Sequence, residues 1–194
     1  VEMKIYPIAE TRIFQAYTFP STHDGLNAIR NFIHKGLRPA VVRLYDEVEA
    51  VPKISSYGFE KGFVLLILVF EGNKEMSELE AGMTKEICLG NNGRYKGELA
   101  AREWLETRFS TKKMLDFDAI KGGTADAIEV AAPWDCIENV WREMRKALEP
   151  MCTVVDCHFS HVYHNGASVY VIYHAKTDGD DKAGEERYLQ CLDT

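Results

Sequence analysis

A dense cluster of titratable side chains lies between residues 158 and 174. Histidine titrates near neutral pH and a hydrogen-bonded tyrosine can pass on a proton, so this cluster could relay protons or bind a ligand. A sheet surface that favours aromatic residues, with hydrogen-bonded histidines, would have the same composition. Both interpretations stay open from the residue types alone. The cluster comprises His158, Ser160, His161, Tyr163, His164, Tyr170, Tyr173 and His174.

Strand alternation assigns these side chains to opposite faces. Residues two apart on a β-strand share a face. We therefore expect His161 to point away from His158, and Tyr170 to point away from Tyr173. A metal bound by paired histidines needs a third ligand that the sequence does not place, and we assign no metal site.

Arg43 is the second candidate because it lies within an apolar strand, residues 40–45. Burial of a guanidinium there costs free energy unless the group is paired with an acceptor or faces a pocket. An ion pair with Asp46 or Glu47 is one explanation. The other is an anion clamp, because the planar guanidinium can bind a carboxylate or phosphate with two hydrogen bonds.

Hydrophobic periodicity predicts the elements that position these residues. The order is β-α-β-β-α over about 9–90, an irregular helical insert over about 91–124, and β-α-β-β-α again over about 125–194. Residues 52–62 are expected to form a loop, and Pro133 is expected in the first turn of a helix. We predict one α+β domain, in which two ferredoxin-like βαββα halves form a largely antiparallel sheet with helices packed on one face.

Composition excludes several classes of function. The chain has 194 residues and a formal net charge of -7, which argues against nucleic acid as a partner. No apolar run reaches the roughly 18 residues of a membrane-spanning helix. Five cysteines without CxxC spacing suggest reduced thiols, so we expect a cytoplasmic protein. The sequence contains no GxGxxG or GxxxxGK[ST] motif for the phosphates of a nucleotide cofactor.

Five short segments occur in an order that matches a known family. They are residues 19–21, 37–46 and 70–72, then Ala132-Pro133-Trp134-Asp135, and residues 160–170 with their Ser-His-Val-Tyr and Gly-Ala-Ser-Val-Tyr runs. Together they resemble the C-terminal, substrate-side cap domain of FAD-linked oxidases of the vanillyl-alcohol oxidase family. The alkyldihydroxyacetonephosphate synthases are the branch that the chain resembles most.

The resemblance implies a cofactor and partners. FAD would be held mainly by an FAD-binding domain elsewhere in a longer chain, which would also carry a C-terminal tail with a histidine triplet. The cap would close over a small-molecule substrate, either an acyl-dihydroxyacetone phosphate or a hydroxy acid. A homodimer and a membrane-peripheral location of the longer protein are both compatible with this family.

The resemblance also assigns roles to residues. Arg43 matches an arginine near the flavin and the substrate, so it is expected to bind both. Tyr170 matches a tyrosine that transfers a proton, and His161 would support it as a second catalytic residue. The arginine that binds the substrate phosphate is expected within residues 108–118, where Lys113 is its substitute.

Two other functions remain as alternatives. One is the cap domain of an FAD-dependent oxidase or dehydrogenase of 2-hydroxy acids such as D-lactate or glycolate. That branch carries two metal-binding histidines in the corresponding hairpin, and here Tyr170 stands in place of the second. The other is a non-catalytic ferredoxin-like binding or dimerisation module. A buried Arg43 in an ion pair with Asp46, with no cleft between Arg43 and Tyr170, would favour that module.

Overall fold

The computed structural model describes residues 2–3, 5, 7–109 and 122–193, and its elements are numbered over those residues. In chain order they are β1 Thr11–Phe19, α1 Thr22–His34, β2 Val41–Tyr45, α2 Glu47–Ser56, β3 Val64–Gly72, α3 Lys74–Gly90, β4 Arg94–Tyr95, α4 Leu99–Thr107, β5 Gly123–Pro133, α5 Ile137–Leu148, β6 Val154–Ser160, β7 Gly166–Lys176 and α6 Asp181–Leu192.

The described strands form one seven-stranded antiparallel sheet in the order β4-β1-β3-β2-β6-β7-β5. The strands β4-β1-β3-β2 have the order of a ferredoxin-like unit. The strands β6-β7-β5 have the mirror order of β1-β3-β2, and they lack an equivalent of β4. The halves join where β2 pairs with β6, through Leu44 opposite Phe159 and Tyr45 opposite His158. The predicted α+β fold of two ferredoxin-like halves is therefore confirmed.

The two faces of the sheet carry separate hydrophobic cores. One core spans the whole sheet and is covered by α1, α3, α5 and α6. The other lies only over β1, β3 and β2, where α2 and α4 cover it through Ala50, Ile54, Ala100 and Ala101. The prediction of helices on one face thus needs a correction, because two of the six described helices pack on the opposite face.

Helix α2 occupies part of the segment that was expected to be a loop. Asp46 begins it, and its Oδ1 accepts hydrogen bonds from the backbone N–H groups of Val48 and Glu49 at 3.1 and 2.9 Å. Pro52 lies inside the helix, although proline removes one helical hydrogen bond. Burial of Ala50 and Ile54 against the sheet offsets that cost, and this is why the loop prediction for residues 52–56 was wrong.

Several helix boundaries follow the sequence signals. Ser21 Oγ accepts a hydrogen bond from the Asp24 backbone N–H at the start of α1, and Asn73 Oδ1 accepts one from Met76 at the start of α3. The prediction that Pro133 lies in the first turn of a helix was wrong. Pro133 ends β5, and α5 begins only at Ile137.

The insert expected over about 91–124 is described over residues 91–109 and 122–124, and β5 already begins at Gly123. Within residues 91–109 β4 pairs with β1, and α4 packs on the second face of the sheet. None of the helices in the described ranges is long and apolar enough to cross a membrane.

Gly25 sets how closely α1 approaches β2. A Cβ atom added there would lie 2.7 Å from Leu44 Cδ1, and Leu44 is fully buried. We expect Gly25→Ala to lower the free energy of unfolding by about 1–3 kcal/mol through overpacking.

The matched control is Gly82→Ala on the exposed side of α3, where an added Cβ meets nothing within 4 Å. This change should raise the free energy of unfolding by about 0.5–1 kcal/mol, because alanine loses less backbone entropy. Urea unfolding of both variants measures the difference. Equal stabilisation by the two changes would contradict the close approach of α1 to β2.

Candidate functional site

Side chains from both halves of the chain meet on the face that α2 and α4 cover in part. Tyr45 lies opposite His158, and His158 lies opposite Tyr170, in adjacent strands. Arg43 shares the face of Tyr45, two residues away. Glu49 reaches the same place from the first turn of α2, with its carboxylate 2.8 Å from the His158 ring.

Glu49 and His158 form a hydrogen-bonded pair beneath this face. His158 Nδ1 lies 2.8 Å from Glu49 Oε2 and 3.1 Å from Arg43 Nη2. A carboxylate can only accept, so Nδ1 carries the hydrogen and donates it to Glu49. Arg43 therefore touches Nδ1 without a hydrogen bond to it, and the pair fixes the tautomer of His158.

The charge of this pair is set by its surroundings. Burial alone would raise the pKa of Glu49, but the His158 hydrogen bond and the nearby cations, including Lys53, lower it to about 2. Burial lowers the pKa of His158, and Arg43 and Lys53 add to this against the opposing effect of Glu49. The pair at neutral pH is thus an ionised carboxylate and a neutral imidazole.

The Arg43 guanidinium has one donor that the described residues leave unpartnered. Its Nε is buried and has no hydrogen-bond partner among the described residues. The guanidinium carbon lies 5.3 Å from the Tyr45 ring centroid and 5.9 Å from that of Trp104, within the range of cation–π attraction. A fixed cation with an unpartnered N–H fits an acceptor oxygen from a ligand.

The structural ion pair proposed for Arg43 is absent from the part of the chain that the structure describes. Asp46 lies 3.3 Å from Arg145 Nη1, and Glu47 lies 3.9 Å from the same atom. Of the two explanations for Arg43, the ion pair with Asp46 or Glu47 is therefore not seen, because Arg145 of α5 contacts both carboxylates.

Tyr170 is held between two histidines. The His158 ring stacks on it with centroids 4.8 Å apart and an interplanar angle of 14°, and His161 Nε2 lies 3.1 Å from its hydroxyl. Burial and the neighbouring Glu129 carboxylate raise the pKa of Tyr170, with Arg43 acting in the opposite direction. The phenol is thus neutral and hydrogen-bonded to a group that can exchange a proton with it.

His161 reaches Tyr170 because the backbone leaves the strand. Its φ of 49° lies in the left-handed region, and β6 ends one residue earlier at Ser160. The expectation that His161 points away from His158 was wrong, since alternation does not extend past the strand. Tyr173 does lie on the opposite face from Tyr170, in the main core.

A cleft of about 310 Å³ opens beside Arg43. Two cations lie in its wall, because Arg108 also lines it and packs over the Trp104 ring with its guanidinium carbon 5.7 Å from the centroid. Lys113, the predicted phosphate contact, lies outside the described residues. The lining residues are Pro39, Ala40, Val41, Val42, Arg43, Trp104, Arg108, Ser160, His161, Val162 and Tyr163.

Sequence reasoning missed Glu49 and Trp104 as members of this site, and it named Lys113 rather than Arg108 within the stretch 108–118. The Asp46-x-x-Glu49 spacing is typical of a capping box and could have revealed the start of α2. Trp104 carries no comparable signal, because α4 comes from the insert and reaches the site only through packing.

A model of one protein family matches residues 8–194, and its description is "FAD linked oxidases, C-terminal domain". The chain belongs to this family. The resemblance of its ordered segments to FAD-linked oxidases is thereby confirmed.

This FAD-linked oxidase C-terminal domain is similar to longer proteins. It is 24% identical over 192 residues to the uncharacterised FAD-linked oxidoreductase YgcU of Escherichia coli (strain K12), covering 89% of this chain and 38% of that protein. It is 22% identical over 205 residues to the alkyldihydroxyacetonephosphate synthase of Caenorhabditis elegans, covering 89% and 34%. A solved alkyldihydroxyacetonephosphate synthase matches with a TM-score of 0.77 at 18% identity, covering 96% and 40%, and shows that the fold is shared.

The residues of this domain can be tested against the FAD that the family name implies. The buried, unpartnered Arg43 Nε fits a carbonyl oxygen of a flavin ring or an anionic oxygen of a substrate beside it. The sequence has no glycine-rich phosphate motif, so the pyrophosphate has no recognisable place here. Across the described ranges, no group of three or more His, Cys, Asp and Glu side chains could hold a metal ion.

The Glu49–His158 pair leads to a prediction about pH. The folded pKa of Glu49 is about 2, against 4.5 for an unperturbed glutamate. Its charge therefore stabilises the fold fully above about pH 4.5, and that contribution is lost as pH falls through 2. We expect Glu49→Gln to lower the free energy of unfolding by about 1.5–3 kcal/mol at neutral pH.

Urea unfolding between pH 7 and pH 2 should show the wild-type and Glu49→Gln curves converging below pH 4.5. Burial raises the pKa of Asp46 to about 6 and that of Asp156 to about 7, so both are already protonated in the folded chain at pH 4.5. The control is Glu86→Gln, an exposed glutamate of α3. A constant gap between wild type and Glu49→Gln down to pH 2 would show that Glu49 is not ionised in the fold.

Proposed function

We propose that this domain is the substrate-binding cap of an FAD-dependent enzyme of the alkyldihydroxyacetonephosphate synthase type. FAD is held mainly by another domain of a longer chain, and the substrate is an ester of dihydroxyacetone phosphate. One observation carries the proposal. The unpartnered Nε of Arg43 and the Tyr170–His161 hydrogen bond lie on one face of the sheet, beside a cleft lined by two arginines.

In this proposal each group has a separate task. Arg43 orients an anionic or carbonyl oxygen, and its fixed position removes the entropy cost of ordering the cation. Tyr170 transfers a proton at its hydroxyl, and His161 Nε2 accepts or returns that proton. FAD, when bound, would supply the reactive flavin ring beside these groups. Lys113 is the proposed phosphate contact, with Arg108 of the same stretch already in the cleft.

A second function in the same family rests on the chemistry of Arg43. A guanidinium binds a carboxylate as well as a phosphate, so a 2-hydroxy acid such as D-lactate would suit the cleft. The non-catalytic module is less well supported, because Arg43 is not paired with Asp46 among the described residues and a cleft lies beside Arg43.

The full-length protein, loaded with FAD, should convert acyl-dihydroxyacetone phosphate in the presence of a long-chain alcohol. We expect Arg43→Lys to lower kcat/KM by about 10²-fold, because a lysine cannot reproduce the planar guanidinium contact. Parallel assays with D-lactate and glycolate decide between the two functions. Turnover of a hydroxy acid alone would reject the synthase proposal, and an unchanged kcat/KM in Arg43→Lys would reject the role of Arg43.

Tyr170→Phe tests the proton transfer. We expect kcat to fall by about 10²–10⁴-fold with little change in KM, because the ring remains stacked on His158 and only the hydroxyl is lost. The matched control is Tyr173→Phe on the same strand, whose hydroxyl lies on the opposite face and should be dispensable for turnover. Steady-state kinetics of the full-length protein measure both. Equal kcat values for wild type and Tyr170→Phe would rule out Tyr170 as the proton donor or acceptor.

A further inference from the structure

Two cysteines outside the candidate site lie in contact with each other. Cys152 Sγ lies 3.6 Å from Cys191 Sγ, and 39 positions separate the two residues in the chain. Cys152 is in the turn between α5 and β6, while Cys191 is in the last turn of α6. Closing this gap to the roughly 2.05 Å of a disulfide needs only a small shift of the two side chains.

The helix that carries Cys191 is weakly attached to the sheet. Cys191 is its one fully buried residue among the described positions of α6. Leu189 and Leu192 on the same helix are 52% and 49% exposed. A groove of about 390 Å³, lined by Met144 and Leu148 of α5 and by Cys191, separates α5 from α6. Cys191 is therefore the most deeply buried contact of α6, with Tyr188 packed in part against the same core, and its thiol lies next to that of Cys152.

We propose that Cys152 and Cys191 are a reversible disulfide site that fastens α6 to the sheet when a peroxide oxidises it. The Cys152 thiolate attacks one peroxide oxygen, the O–O bond breaks, and Cys152 becomes a sulfenic acid while water leaves. Cys191 then attacks the Cys152 sulfur, the S–O bond breaks and a second water leaves. The two thiols lose two electrons and two protons in total, and one hydrogen peroxide is reduced to two waters.

The surroundings of the two thiols suit them to different steps of this oxidation. Cys152 is partly exposed, and the Arg187 charge favours its thiolate, whereas Cys191 is 1% exposed and suits the second step. Burial and the Cys191 contact raise the pKa of Cys152 to about 12, so the first attack is slow. Once a sulfenic acid forms, the adjacent Cys191 captures it before a second peroxide arrives.

Treatment of the protein with hydrogen peroxide, followed by alkylation and peptide mapping, tests the site. Trypsin should leave Cys152 and Cys157 on residues 147–176 and Cys191 on the peptide that begins at Tyr188. We expect a cross-link between these two peptides that dithiothreitol removes. It should persist in Cys157→Ala and in the control Cys136→Ser, and disappear in Cys152→Ser. The melting temperature should rise by about 5–10 °C on oxidation of the wild type.

Three outcomes would overturn the proposal. Peroxide could convert Cys152 to sulfinic or sulfonic acid without any cross-link. The cross-link could survive in Cys152→Ser, which would place it on another cysteine. Oxidation could join the two peptides without raising the melting temperature, which would show that the bond does not fasten α6. Because the cross-link is read in the wild-type protein, poor folding of a cysteine variant would leave the test intact.

Discussion

The antiparallel pairing of β2 with β6 is the constraint on which the candidate site depends. Only two residue pairs form it, Leu44 with Phe159 and Tyr45 with His158. They join two halves that each complete most of a ferredoxin-like sheet, and they bring Arg43 beside His158 across 115 positions of the chain. A shift of one residue in this register would turn His158 into the main core and Phe159 out to the cleft. The hydrophobic face of β6, buried against α5, prevents that shift and so fixes the site.

Much of the fold could be predicted because its elements carry local signals. The strands alternate or are continuously apolar, and Ser21 and Asn73 begin helices where capping side chains are expected. Helix α2 could not be found in this way, since Pro52 within it is the usual mark of a break. Its stability comes from tertiary contacts of Ala50 and Ile54, which a local pattern does not contain. The number of helices on each face depends on such contacts as well.

The candidate site could be predicted from the sequence to a smaller extent than the fold. Arg43 and Tyr170 were candidates because a charged or proton-transferring side chain within an apolar strand usually has a partner or a ligand. The resemblance of the ordered segments to a known family then suggested a role for each residue. Glu49 lay in a helix that was not expected, and its partner His158 had been placed on the face opposite His161. The positive φ of His161 explains why this placement was wrong. It turns the His161 ring back toward Tyr170 after the strand has ended. Alternation describes strands, and catalytic side chains often sit where strands stop.

The charge of the cleft lining is opposite in sign to that of the whole chain, and in the proposed function this difference would favour a small anion as the ligand. A formal net charge of -7 repels an extended polyanion, which must approach many acidic side chains at once. A small anion meets mainly Arg43 and Arg108, which are fixed against the rings of Tyr45 and Trp104. At physiological ionic strength charges beyond about 8 Å are largely screened. The local cations therefore dominate the interaction with a small phosphate or carboxylate, and the acidic remainder of the surface excludes larger polyanions.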